Sequence, residues 1–167
     1  MSDETAAQRA AIGAMLGRTP SGLFILTARG PDGAETGMLA SWVQQASFEP
    51  PTMTIAVNRK RYIIDWLQTG SVIALSLLGE SNKSLLGHFG RGFEPGAPAF
   101  NGVDLDRTPH GCPVMVAALG WLEGRVTGRL DTGDHVLYAA ELTAAGSNSS
   151  LETEKPWVHI RKNGLNY

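Results

Sequence analysis

The stretch GMLASWVQQASFEPPTMTIAV, Gly37–Val57, decides the fold. In its second half Met53, Ile55 and Val57 alternate with Thr54 and Ala56, the period of a strand with one buried face. Pro50-Pro51 breaks the chain ahead of that strand, since proline brings no N–H to a sheet ladder. The first half, Gly37-Met38-Leu39-Ala40-Ser41-Trp42, is apolar, carries one hydroxyl and is bounded by glycine. It lies within a longer run, Thr36–Ser47, that pairs back on Leu23–Ala28 across the turn Pro31-Asp32-Gly33. Such hairpins imply antiparallel β structure.

Working outward, the spacing of Ile12, Met15 and Leu16 predicts a buried apolar stripe on a helix over residues 1–17. Ser2 or Asp3 can cap it, and Gly17 with Pro20 ends it. A second helix is expected over Arg61–Thr69, with Ile63, Trp66 and Leu67 on one face and Gly70 as its C′ residue. Val72–Leu78 reads as a strand and Ser81–Phe89 as a short helix. Residues 90–110, rich in glycine and proline, read as an irregular flap. Leu119–Leu130 and His135–Leu142 flank the turn Asp131-Thr132-Gly133-Asp134. Residues 146–155 read as a polar loop, Trp157–Ile160 as a last strand and 161–167 as a basic tail. Six or seven strands with short helices between them fit a mainly β barrel better than a doubly wound sheet.

The chain has 167 residues, 14 basic and 16 acidic, which fits a single domain and lacks the basic footprint of a nucleic-acid binder. Glycine is abundant, 20 residues against the ~7% usual in proteins, in keeping with tight turns. One cysteine, Cys112, excludes an internal disulfide and a cysteine-rich metal site, and fits a reducing compartment. No apolar stretch approaches the ~18 residues of a membrane span. The expectation is a cytoplasmic protein without nucleic-acid or membrane partners.

Signatures of hydrolases, phosphate-binding loops and zinc proteases are missing. The four histidines, His88, His110, His135 and His159, are scattered without metal-ligand spacing, so no metal is expected. Cys112 before Pro113 reads as a buried, inert thiol. Asp131 and Asp134 are explained by turn chemistry. Arg59-Lys60-Arg61 stands apart: three cations after a strand, at the start of an expected helix, can hold a phosphate, or form a solvated basic turn. The rim of the Gly37–Trp42 strand can offer backbone groups to a flat heterocycle, or be simply core.

Four motifs carry a resemblance: the opening stretch, GCPVMVAALGWLE (Gly111–Glu123), GDHVLYAAEL (Gly133–Leu142) and RKNGLNY at the tail. In this order they make the chain similar to the flavin reductase-like family, above all to the domain that ends the diflavin flavoproteins. The resemblance implies an antiparallel, Greek-key FMN-binding split β-barrel, a homodimer, and hydride uptake from NADH or NADPH. It implies that Leu39, Ala40, Ser41 and Trp42 lie along the flavin ring, with Ser47 before the acidic-Pro-Pro turn. Asn58, Arg59, Lys60 and Arg61 would grip the ribityl phosphate. Asn82, Lys83 and Phe89 would close the other side, and His135 of the G-D-H motif would lie near flavin and nicotinamide, in a catalytic role, unless it only caps its hairpin. The chain departs from the family at Leu39-Ala40-Ser41-Trp42, where short flavin reductases show T-x-S-S, and at Gly124, where many members carry cysteine.

Three functions follow from this reading. The first is a flavin reductase passing electrons from NAD(P)H to a separate acceptor: free flavin, a ferric complex, or a redox or monooxygenase partner protein. The second is an FMN-holding electron-transfer module without NAD(P)H activity. The third is a dimeric interaction domain that has lost flavin, against which Arg59, Lys60, Arg61 and Ser41 speak.

Overall fold

The computed structural model describes residues 3–166. Helix α1 (Asp3–Arg18) leads into β1 (Ser21–Gly22), β2 (Phe24–Arg29), β3 (Glu35–Ala40), β4 (Val43–Ser47) and β5 (Thr52–Asn58). A 3-10 helix (Tyr62–Trp66) precedes β6 (Val72–Leu77), α2 (Lys83–Gly90), β7 (Leu105–Arg107) and β8 (Pro113–Met115). The chain closes with the long pair β9 (Gly120–Thr132) and β10 (His135–Ser147), a 3-10 turn (Ser149–Glu152) and β11 (Val158–His159).

Seven strands form one antiparallel sheet in the order β3-β2-β6-β9-β10-β5-β4. Its two edge strands, β3 and β4, are consecutive in the chain, and only Ser41 and Trp42 join them. A two-residue link cannot span an open seven-stranded sheet, so the sheet curls until its edges meet. The Ala56 N–H donates to the Trp42 carbonyl at 2.9 Å and ties the corner to β5. Closure leaves little unpaired edge and puts an inward corner at residues 40–42.

The alternation at Met53, Ile55 and Val57 points into this barrel, where Leu26, Ile55, Val57, Ile73, Leu75, Val126, Val136 and Tyr138 are buried. Full burial of each such aliphatic chain contributes roughly 1.5–3 kcal/mol. A second cluster, Leu23, Ile25, Leu78, Leu85, Phe89, Met115 and Ala118, packs α2 against the outside of the sheet. Gly37 permits that approach: a Cβ there would lie 3.1 Å from Phe89 and 3.2 Å from Phe100.

The mainly β, antiparallel barrel with short peripheral helices is therefore as expected, but several elements differ in detail. In α1 the expected apolar stripe is inverted: Ile12, Met15 and Leu16 are exposed, while Gly13 and Gly17 are buried. The C-terminal residues occupy the glycine face, because a Cβ at Gly17 would sit 2.7 Å from the Arg161 carbonyl oxygen. The proposed cap Ser2 lies outside the described residues. Thr36–Ser47 is two strands rather than one, since Ser41 and Trp42 turn the corner. The expected 61–69 helix is one 3-10 stretch, Tyr62–Trp66, with Ile63 and the following Leu67 buried as foreseen and Gly70 at φ +92.

The 90–110 flap contains β7, which pairs with β8. The 146–155 loop is shortened by β10, which runs to Ser147, and by the 3-10 turn that follows. The basic tail is bonded to α1 rather than loose: the Arg161 N–H donates to the Gly17 carbonyl and the Gly164 N–H to the Gly13 carbonyl, both at 2.7 Å. Among the described residues no helix is long and apolar enough to cross a membrane.

Candidate functional site

A cleft of about 440 Å³ opens where the barrel closes on itself. The end of β3 supplies Met38, Leu39 and Ala40, with Ser41 at the corner. From β5 come Ala56 and Asn58, followed by Lys60 and Arg61 of the next turn. Leu86 and Gly90, one helical turn apart on α2, form a further wall. Leu23, His135 and His159 complete the lining. The register explains one meeting directly: His135 at the start of β10 is the cross-strand partner of Asn58 at the end of β5.

The cleft is apolar along its length and cationic at one end. Asn58 builds the turn there, its Oδ1 accepting the Lys60 N–H at 3.0 Å and its carbonyl the Arg61 N–H at 2.9 Å. Arg61 reaches across to the segment after α2, donating from Nη1 to the Arg91 carbonyl at 2.8 Å. Arg59 points elsewhere: its Nε donates to the Gly133 carbonyl at 2.8 Å and its Nη2 pairs with Asp131 at 2.8 Å. Its guanidinium thus stitches the β5 turn to the β9–β10 hairpin and is not part of the lining.

The His135 side chain is 9% exposed, and its Nδ1 lies 2.8 Å from the Asp134 carboxylate, which is 86% exposed. The imidazole holds the Asp134 carboxyl below the usual carboxylate range. On its other side the Trp42 ring packs at 4.6 Å between centroids, tilted by 39°. Burial pushes the His159 imidazole below its ordinary value, and the Arg161 charge adds to this, so His159 is neutral at neutral pH.

Of the residues singled out in the sequence, the cleft gathers Leu39, Ala40, Ser41, Asn58, Lys60, Arg61 and His135. Trp42 stands behind His135. Ser47 is at the far end of β4, opposite Thr52. Asn82 is buried and spent on structure, accepting the Gly79 N–H at 2.9 Å and donating to the Ala117 carbonyl at 2.8 Å. Lys83 is exposed at the start of α2, and Phe89 is buried in the second core. On that side the cleft is lined by Leu86 and Gly90 instead.

Leu23, Met38, Ala56 and His159 went unflagged as site residues. A signal for His159 existed, since it lies in the predicted last strand, but periodicity does not say which edge a strand joins. Cys112 is buried, and its thiol is pushed up to about 11 by burial and then by the Glu123 charge, as expected of an inert group. Among the described residues no three or more His, Cys, Asp and Glu side chains gather as a metal site would require.

Comparison with known proteins adds to this geometry. Residues 16–164 match the family described as flavin reductase like domain. A diflavin flavoprotein A of Nostoc sp. (strain PCC 7120) is 40% identical over 154 residues, 91% of this chain and 26% of its own length. Diflavin flavoprotein A 1 of Synechocystis sp. (strain PCC 6803) is 40% identical over 129 residues, 77% of this chain and 22% of its own length. The chain thus spans about a quarter of the length of these curated relatives. Among solved structures, the NADH:FAD oxidoreductase SgcE6 of Streptomyces globisporus superposes with a TM-score of 0.79 at 23% identity, over 95% of this chain and 89% of that one. The barrel is therefore the split barrel of flavin reductases.

Proposed function

The chain belongs to the flavin reductase-like domain family, and from that premise we propose an FMN-dependent oxidoreductase that takes reducing equivalents from NADH or NADPH. Electrons then pass to a separate acceptor: free flavin, a ferric complex or a partner protein. The observation that carries this is the union, in one cleft, of an apolar wall and a two-cation end. A flat heterocycle with a phosphate tail has the same polarity along its length. The volume of about 440 Å³ lies within the ~300–1,000 Å³ usual for ligand sites. SgcE6 has also been solved in complex with NAD and FAD fragments, with a TM-score of 0.77 at 21% identity over 97% of this chain and 90% of that one.

When bound, the flavin supplies a hydride acceptor at N5. The chain supplies the rest. Lys60 and Arg61 bind the phosphate, while Leu23, Met38, Leu39, Leu86 and Ala56 exclude water from the ring. The residue 39–41 backbone would face the ring edge, where its donors would stabilise negative charge. His135, held between Asp134 and Trp42, faces the space in which a nicotinamide would stack. A homodimer in the cytoplasm is part of this proposal.

The site reading is tested by titrating the chain with FMN and with riboflavin, following quenching of flavin fluorescence. FMN binds more tightly than riboflavin, and replacing Lys60 and Arg61 together by Ala removes that preference. Each charge-assisted phosphate contact is worth about 1.5–3 kcal/mol, so losing two weakens FMN about a hundredfold or more while riboflavin changes little. Equal loss for both ligands refutes the phosphate site, and no saturable binding of either refutes the reading.

A further inference from the structure

We propose that Arg161 is a positioning residue for His135, acting through Trp42. Trp42 touches both of the other side chains. The guanidinium carbon of Arg161 lies 5.3 Å from the Trp42 ring centroid, and the His135 imidazole centroid lies 4.6 Å from it. Both distances lie in the range of cation–π and ring–ring attraction.

The arm that brings Arg161 there is set by its backbone. β11 pairs with β1, Ser21 opposite His159 and Gly22 opposite Val158. Extended chain alternates its side chains, so His159 turns into the cleft, Ile160 is 52% exposed, and Arg161 turns in again. Beyond it, the bonds from Arg161 N–H to Gly17 and from Gly164 N–H to Gly13, 2.7 Å each, clamp the arm along α1. The clamp has little slack: a Cβ at Gly17 would come within 2.9 Å of the Asn163 nitrogen, and one at Gly164 within 2.7 Å of the Gly17 nitrogen.

His135 needs such a hold. Its hydrogen-bond partner Asp134 is 86% exposed, and a contact to a carboxylate so open to solvent restrains little. Trp42, in turn, has room to leave. A cavity of about 200 Å³ lies behind it, lined by Leu16, Pro20, Ser21 and Arg161 among others. Removing the guanidinium enlarges that space and takes one contact from the indole, so the indole shifts and the imidazole loses part of its backing.

The test does not depend on the flavin reading, on which only its affinity arm rests. Ring protons of His135, assigned by their absence in His135→Ala, feel the Trp42 ring current and are followed by NMR in the full chain. Arg161→Ala moves these signals toward those of an exposed histidine and weakens FMN by less than about threefold. Arg161→Lys keeps a cation over the indole and holds the signals close to their original positions. Trp42→Leu, which leaves Arg161 in place, gives the same displaced signals as Arg161→Ala. His135 signals that stay put in a folded Arg161→Ala chain overturn the proposal. An unmodified chain that fails to bind FMN, yet shows the His135 displacement in Arg161→Ala, refutes the flavin reading and supports the positioning role.

Discussion

His135 is where the residue scale bears most directly on mechanism. It opens β10 opposite Asn58, its Nδ1 faces an exposed carboxylate and its ring packs on Trp42, so both a hairpin cap and a cleft residue are drawn in one side chain. The two roles separate kinetically. If the imidazole meets the nicotinamide, His135→Ala slows reduction of bound FMN by NADH or NADPH about tenfold or more. FMN affinity then falls by less than about threefold. Stopped-flow reduction beside a flavin titration measures both, and an unchanged reduction rate leaves His135 as a cap alone. At the same scale, the sequence marks Arg59-Lys60-Arg61 as one candidate phosphate-binding cluster, but does not reveal that, of the three, only Lys60 and Arg61 line the cleft. Nothing in the sequence says that Asp131 and the Gly133 carbonyl, more than seventy residues away, capture Arg59.

Elements carry a second chemistry on the side of the barrel formed by β6 and β9. Glu123 on β9 is buried. Its Oε1 lies 2.6 Å from His110 Nδ1, and its Oε2 accepts the His110 N–H at 3.1 Å. Burial alone would push its carboxyl up, but the Thr108 hydroxyl and His110 outweigh it and hold the group below the usual carboxylate range. An unfolded Glu123 takes up its proton at higher pH than the folded one. Its contribution is therefore complete above the ordinary carboxylate value and is lost as pH falls through the lowered one. Glu123→Gln destabilises the fold by about 1–3 kcal/mol at neutral pH and flattens the acid limb of stability. Denaturant unfolding at a series of pH values reads both. An acid limb as steep as before would assign the loss to other carboxylates.

Strands whose faces differ, such as Met53–Val57, announce themselves by alternation. The corner at Ser41-Trp42 does not, because no glycine or proline marks it and Val43 continues the apolar run of β3 past it. Helix α1 misled for a related reason: its apolar residues are spaced for a core, yet the tail packs on its glycines.

At the scale of the whole molecule, the consequence of the topology is a meeting of distant segments. Strand pairing sets β5 beside β10, closure through Ser41-Trp42 brings β3 to the same corner, and α2 and the C-terminal arm complete the cleft. Antiparallel barrel architecture was legible from hairpins and turns. Which segments meet was not, since the order β3-β2-β6-β9-β10-β5-β4 is a property of closure rather than of any local pattern. Four motifs spread along the chain carried that information only as a resemblance.

The central claim is that this cleft holds a flavin and admits a nicotinamide donor to it. An absorbance spectrum of the FMN-loaded chain, taken anaerobically before and after NADH and then NADPH, tests it most directly. With the donor admitted, the oxidised-flavin bands disappear with at least one of the two nucleotides. A bound flavin whose bands survive both would contradict it, leaving a carrier that exchanges electrons with a protein partner alone.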